Sequence, residues 1–373
     1  MKTNFRYAVA ALWSGASVIA FAYAQNALPG MPPVLDPANI YSADGPNMLS
    51  SVVAKFPSRV YVPNTKSDTV DVIDPETYKI IDHFALPKKA GRLMEPQHVV
   101  PSWDLKKLWV AQDLGDQLTL IDPATGKKGQ TVTVDDPYNM YFTPDGKFAI
   151  VMAEREKRID FRDAATMKVV ARVNVNCKGV NHADFTPDGR IMIATCEFSS
   201  ELIKVDIVGK KVLAHLPLEP KGMPQDCRLT PDGKHFLIAN MEADGVHVVD
   251  AEPFKQVNFI KTGKGTHGIY FSRDAKYAYV SNRGEGSISL LNTATLLVDR
   301  KWTIPGGGSP DMGGVSADGK TLWLSGRYHS EVYAFDTSTG KLRARIKVGD
   351  GPHGLCVYPQ PGRYSLGHTG NMR

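Results

Sequence analysis

Short runs in which apolar and polar residues alternate recur along the whole chain. RVYVPN (59–64), KLWVAQD (107–113), KYAYVSN (276–282) and TLWLSGR (321–327) are four of them. A period of two marks a strand with one face toward a core. Two kinds of turn separate these runs. The first reads VIDPETYK, LIDPATGK, FRDAATMK, KVDIVGKK, VVDAEPFK, LLNTATLL and AFDTSTGK, with Asp74, Asp122, Asp163, Asp206, Asp250, Asn292 and Asp336 at the bend. The steps between these residues are 48, 41, 43, 44, 42 and 44. The second reads FTPDGK, FTPDGR, LTPDGK, FSRDAK and VSADGK, with PSWDLKK and YPQPGR as degenerate members. Asp, Asn and Gly serve there because they accept backbone hydrogen bonds and tolerate positive φ.

Each unit is therefore four short strands joined by tight turns, and a period of 40–45 residues built this way is the signature of a β-propeller. The expected fold is all-β: a seven-bladed β-propeller of four-stranded antiparallel blades. The first unit opens at its second strand, SRVYVPN, and the tail supplies an innermost strand, GPHGLCVYP, with no blade after it. One C-terminal strand should thus join three N-terminal strands to close the ring. The propeller is expected over 58–362, preceded by a Pro-rich strap across one face over 25–57 and followed by a tail, 363–373, beyond what closure needs.

Residues 1–24 differ from the rest. Lys2 and Arg6 precede an apolar or small-residue run that ends in Ala22-Tyr23-Ala24, the pattern of a secretory signal peptide cut after Ala24. The rival reading is a retained membrane anchor, since the run is barely of spanning length. Cleavage makes the expected location periplasmic or secreted, with no membrane association afterwards. It also removes Lys2 and Arg6, taking the formal charge from +5 to +3. So small a surplus, with no concentrated basic run, excludes a nucleic-acid surface. The four cysteines form no C-x-x-C-H, which excludes a c-type haem. Cys177 and Cys196 fall on one face of one blade and are the first choice for a disulfide; four buried thiols is the alternative.

The residue that opens each innermost strand faces the mouth of the central channel. Aligning the units at that position gives His98 (PQHVV), Asn139 (PYNMY), His182 (VNHAD), Asp226 (PQDCR), His267 (GTHGI), Asp311 (SPDMG) and His353 (GPHGL). A turn alone requires no such set; Gly, Ser or Ala would serve. Imidazole and carboxylate ligands without thiolates suit Zn, Fe, Cu or Mn at an open site. The metal candidates are His98, His182, Asp226, His267, Asp311 and His353. Alternatively one histidine is the axial ligand of a haem-type tetrapyrrole lying over the mouth, with cofactor contacts from His98, Asn139, His182, His267 and His353. His267 and His353 are the candidates for acid–base catalysis. The competing view is a polar ring that only hydrogen-bonds channel water. Arg155, Lys157, Arg158, Glu201, Glu242, Arg283 and His329 are candidate wall residues, and the long connection 87–96 offers Lys88, Lys89 and Arg92 as a lid.

KYAYVSN, RVYVPN and the recurring TPDGK resemble the YVTN family of seven-bladed propellers over about residues 45–360. The His-bearing turns and the leader are also similar to the d1-haem propellers of periplasmic nitrite reductases and their maturation proteins. That resemblance implies that His98, His182, His267 and His353 are counterparts of histidines that ligate iron or protonate substrate. The reductase domain has eight blades, however, and this chain has seven and no c-haem segment. Propeller lyases that open streptogramin rings use PHG turns at the same place, and propeller lactonases use Asn, Asp and Glu around calcium. Three functions follow: a periplasmic redox-accessory or binding protein holding a metal or metal tetrapyrrole, with a small-molecule ligand or periplasmic redox partner; a metal-dependent lyase or hydrolase; or a protein-interaction scaffold without a cofactor. N-terminal sequencing of the exported protein should start at Gln25; a membrane-bound product starting at Met1 would make it an anchored protein.

Overall fold

A bend residue that accepts hydrogen bonds holds each outer hairpin. In the computed structural model of the chain, which describes residues 26–88 and 91–373, Asp74 accepts from the Glu76 amide (3.0 Å) and the Thr77 hydroxyl (2.7 Å). Asp336 does the same for the Ser338 amide and hydroxyl. The TPDG turns use a second device: Thr143 Oγ1 donates to Asp145 (2.6 Å), which also accepts from the Lys147 amide (3.2 Å). The leader lies outside the described residues, among which no helix is long and apolar enough to cross a membrane.

With the bends fixed, the strands group into seven four-stranded antiparallel sheets arranged in a ring. The closing blade contains β28 (Cys356–Tyr358), β1 (Arg59–Asn64), β2 (Thr69–Asp74) and β3 (Lys79–Ala85), in that order. Arg59 pairs with Tyr358 and Tyr61 with Cys356, so closure is one C-terminal strand on three N-terminal strands, as the repeat register requires. The other six innermost strands, β4 (Pro96–Pro101), β8 (Pro137–Phe142), β12 (Val180–Phe185), β16 (Pro224–Leu229), β20 (Thr266–Phe271) and β24 (Pro310–Val315), are buried along their whole length. Outer strands such as β15 (Lys211–Pro217) alternate exposed and half-buried residues, and their charged side chains guard the free sheet edges.

Residues 26–57 run across the face that carries the TPDG turns. Leu28 bonds Asp188, Ile40 bonds Pro231 and Asn47 bonds Ala317, each from its amide at 2.8 Å. The tail takes a different course. After β28 it enters the channel from this same face as a narrow hairpin, in which Ser365 pairs with Met372 and the Leu366 amide bonds the Asn371 carbonyl (2.6 Å). One arm adds to the free inner edge of β8: the Phe142 amide bonds Leu366 (2.9 Å) and the His368 amide bonds Met140 (2.8 Å). Gly367 sits at the closest approach, where a side chain would strike the backbone of Met140 and Tyr141. Arg373 ends the hairpin with a charged bond to buried Asp184 (2.6 Å).

Cys177 and Cys196 form a disulfide, while Cys227 and Cys356 are free and buried. The bridge spans 19 residues of sequence, and a loop of that size restricts the unfolded chain by about 3 kcal/mol. Replacing both cysteines by serine should lower the unfolding free energy by about that amount in urea titrations, with unchanged circular dichroism; a loss below about 1 kcal/mol would mean that the bridge confers little.

Candidate metal centre

The histidines open their strands because each innermost strand begins at the mouth opposite the strap. His98, His182, His267 and His353 converge there, and none is more than 2% exposed. Ring centroids lie 4.9 Å apart for His98–His353, 5.5 Å for His98–His182 and 5.8 Å for His267–His353. The glycine of the PHG turn permits this approach, since a side chain at Gly354 would run into the His98 imidazole.

A fifth imidazole comes from a place the repeat does not mark. His368, at the tip of the C-terminal hairpin, reaches the ring from below, 5.1 Å from His98 and 5.0 Å from His182 between centroids. It is fully buried and holds φ at +51°, in the left-handed region that non-glycine residues rarely occupy. Such strain persists where the surroundings over-determine it, often at functional positions.

Two sets of three potential ligands result, each with its donor atoms within 4.8 Å of one another: His98, His182 and His368; and His267, Asp311 and His353. They differ chemically. In the first, His98 Nδ1 lies 3.0 Å from the Tyr138 carbonyl, so it carries the proton and leaves Nε2 as a lone pair. That Nε2, the Nε2 of His368 and both nitrogens of His182 have no hydrogen-bond partner. His368 Nδ1 accepts from the Asn139 amide nitrogen (3.0 Å), whose oxygen accepts from the Met140 amide (2.9 Å), so neutral His368 carries its proton on Nε2, and an ion there requires the other tautomer with the amide turned over. In the second set, Asp311 is already engaged. Arg283 donates to its Oδ1 from Nε (3.0 Å) and Nη2 (2.5 Å). His267 Nδ1 is 2.9 Å from the same oxygen but out of line for a hydrogen bond.

Electrostatics follow from burial. Desolvation pushes His98 down to about 3 and His267 to about 4, and holds His182, His353 and His368 well below the ordinary value. All five are neutral. Burial raises Asp311, but the Arg283 charge, with His267 and His353, more than offsets this and keeps it ionised.

Two of the seven aligned residues stand outside both sets. Asn139 bonds His368. Asp226 accepts from the Cys227 and Ile269 amides (both 2.9 Å) and lies 3.8 Å from His368; burial raises it to about 7. Of the expected wall, only Arg283 reaches the ring. Arg155 pairs with Asp113 and Asp136, Arg158 with Asp160, Glu201 with His215, and His329 with Ser309. Lys157 and Glu242 are exposed. In the long connection, Lys88 pairs with Asp68 and Arg92 with Asp116, both exposed, and Lys89 lies outside the described residues. The groups bearing on the mouth are instead Tyr138, Glu154, Glu197 and Arg327. Their signal was in the repeat: nine positions before each bend residue stand Thr65, Asp113, Glu154, Glu197, Met241, Arg283 and Arg327. Arg155 and Glu242 are each one residue past that position.

A family model for the YNCE-like β-propeller matches residues 17–362. The chain belongs to that family. No curated protein matches it in sequence. Among solved structures, hydrazine synthase of Kuenenia stuttgartiensis is 17% identical, with a TM-score of 0.62 over 74% of this chain and 96% of that one. A functionally unknown protein from Desulfotomaculum acetoxidans is 15% identical (TM-score 0.67; 80% and 98% covered). The dihydro-haem d1 dehydrogenase NirN, solved with DHE, is 16% identical (TM-score 0.60; 88% and 77% covered). At these identities the likeness is one of fold alone.

Because burial depresses all five imidazoles, the neutral form should persist far below the ordinary 6.5. In NMR spectra of histidine-labelled protein, no ring imidazole should titrate between neutral pH and about 5. A midpoint near 6.5 for any of them would show that water reaches the ring.

Proposed function

We propose that this YNCE-like propeller is an exported metal-binding protein that holds one divalent transition-metal ion through His98, His182 and His368, and acts in the periplasm as a binding or redox-accessory protein. The observation that carries this reading is the set of three buried, neutral imidazoles whose candidate ligand atoms lie within 4.8 Å of one another, each ring with a nitrogen that has no hydrogen-bond partner. Leaving such polar atoms buried and unsatisfied is costly, and an ion removes that cost. Three imidazoles with an open fourth position suit zinc, copper or iron, and such a centre polarises a bound ligand or changes redox state according to the metal.

The likeness of fold to NirN brings a haem-type tetrapyrrole into question as well. The residues present do not fit one as an axial site. No ring imidazole exposes more than 2% of its surface, and Tyr138 lies over the triad with its ring 5.4 Å from His98 and 6.0 Å from His182. A flat macrocycle has no open imidazole to approach, so a bare ion is the favoured occupant. A lyase or hydrolase is the second reading, favoured by His267 beside ionised Asp311.

Elemental analysis and a visible spectrum of protein prepared without a polyhistidine tag test the proposal. One metal ion per chain is expected, without haem absorption. His98→Ala with His182→Ala, and His368→Ala alone, should lose the ion and keep the circular dichroism of the propeller. His267→Ala with His353→Ala should keep it. Asn139→Ala, which removes the support of one ligand, should weaken binding roughly 10- to 100-fold. Undiminished metal in the His98/His182 variant would remove the triad as the site.

A further inference from the structure

Under the strap, at the opposite end of the channel from the histidines, lies a cavity of about 30 Å³. The strap lines it with Asp44, the C-terminal hairpin with Thr369, and three blades with Arg228, with Phe271 and Arg273, and with Val315. Arg228 is only 6% exposed, its Nε has no hydrogen-bond partner, and its guanidinium lies 5.7 Å from the centre of the Phe271 ring. Arg273 is held from behind, donating to the Ser316 carbonyl from Nε (3.1 Å) and to the Val315 carbonyl from Nη2 (2.5 Å). Those carbonyls fix its position without cancelling its charge. Desolvation lowers it only to about 10, so it stays protonated at neutral pH.

Among the described residues no carboxylate lies within 4.0 Å of either guanidinium. The acids on the neighbouring strands are engaged elsewhere. Asp184 accepts from Arg373 (2.6 Å) and the Leu229 amide (2.9 Å), and Asp226 from the Cys227 and Ile269 amides. Asp44 is the one carboxyl that lines the cavity; it is buried, its Oδ1 has no partner, and desolvation pushes it up to about 7. Two permanent cations thus share a small space with one weak acid that touches neither. A buried charge left unpaired is costly, and an arginine cannot shed its proton to escape.

We infer that this cavity binds one monovalent anion of halide size, chloride in ordinary solution, between the Arg228 and Arg273 guanidiniums. The room suffices for a single small ion or a water or two. Water there satisfies hydrogen bonds, whereas an anion also offsets the charge. Seated between strap, hairpin and three blades, the ion stabilises the assembled ring. The inference does not depend on the metal centre.

The test is thermal unfolding of the full chain in sodium chloride against sodium gluconate, whose anion is too large to enter, at one ionic strength. Chloride should raise Tm saturably, by roughly 2–5 °C. Arg228→Met, which keeps the packing on Phe271 and removes the charge, should abolish the chloride dependence. Crystals of the unsubstituted protein soaked in bromide should show one anomalous peak between the two guanidiniums, a readout that holds even if the variant does not fold. A Tm indifferent to chloride, an equal chloride response in Arg228→Met, or a cavity holding only water in bromide would overturn the site.

Discussion

A ring of blades turns seven innermost strands toward one axis, and the free edges of those strands must find hydrogen-bond partners in a space too narrow for bulk water. The chain meets this constraint with its own C-terminus. The hairpin 363–373 pairs with β8, and Asn371 and Thr369 reach the carbonyls of Ala183 and Gly313 on two other blades. Because β28 lies just upstream, the segment that closes the ring also fills it. The strap seals the same side, with Tyr41 bonded to Leu229 and its ring 4.7 Å beneath the Arg373 guanidinium. Among the described residues, the hairpin and the strap thus fill the channel on that side.

That arrangement explains what the amino-acid sequence reveals and what it hides. Blade count, strand register and closure are legible because every repeat carries the same bend chemistry, and a ring position inherits its place from the period. His98, His182, His267, His353 and Asp311 were legible for the same reason. His368 was not, because it belongs to no repeat: its address depends on a hairpin threaded through a channel that exists only once the ring has formed. Asp226 presents the opposite case. It occupies a ring position, yet adjacent backbone amides claim its carboxylate, and no spacing rule shows where an aspartate will turn. Glu154 was legible but was passed over for Arg155, one residue along, and a single-residue slip in a strand exchanges the inward face for the outward one; Arg327 was passed over for His329, two residues along.

The two halves of the ring then divide electrostatically. A cation seated on Asp311 would stand about 4 Å from the Arg283 guanidinium, where two like charges cost about 4 kcal/mol at an effective dielectric near 20. Arg283 cannot withdraw without leaving Asp311 buried and unpaired, which is worse. The His267, Asp311 and His353 side is thus fixed as a neutral, hydrogen-bonding wall. The His98, His182 and His368 side holds no arginine ion pair, and the one carboxyl beside it, Asp226, lies 3.8 Å from His368. Placing one ligand of that side on the C-terminal hairpin has a mechanical consequence. An ion there would tie the blades of β4 and β12 to the last turn of the chain, so its binding free energy would count directly toward keeping the plug seated and the ring closed.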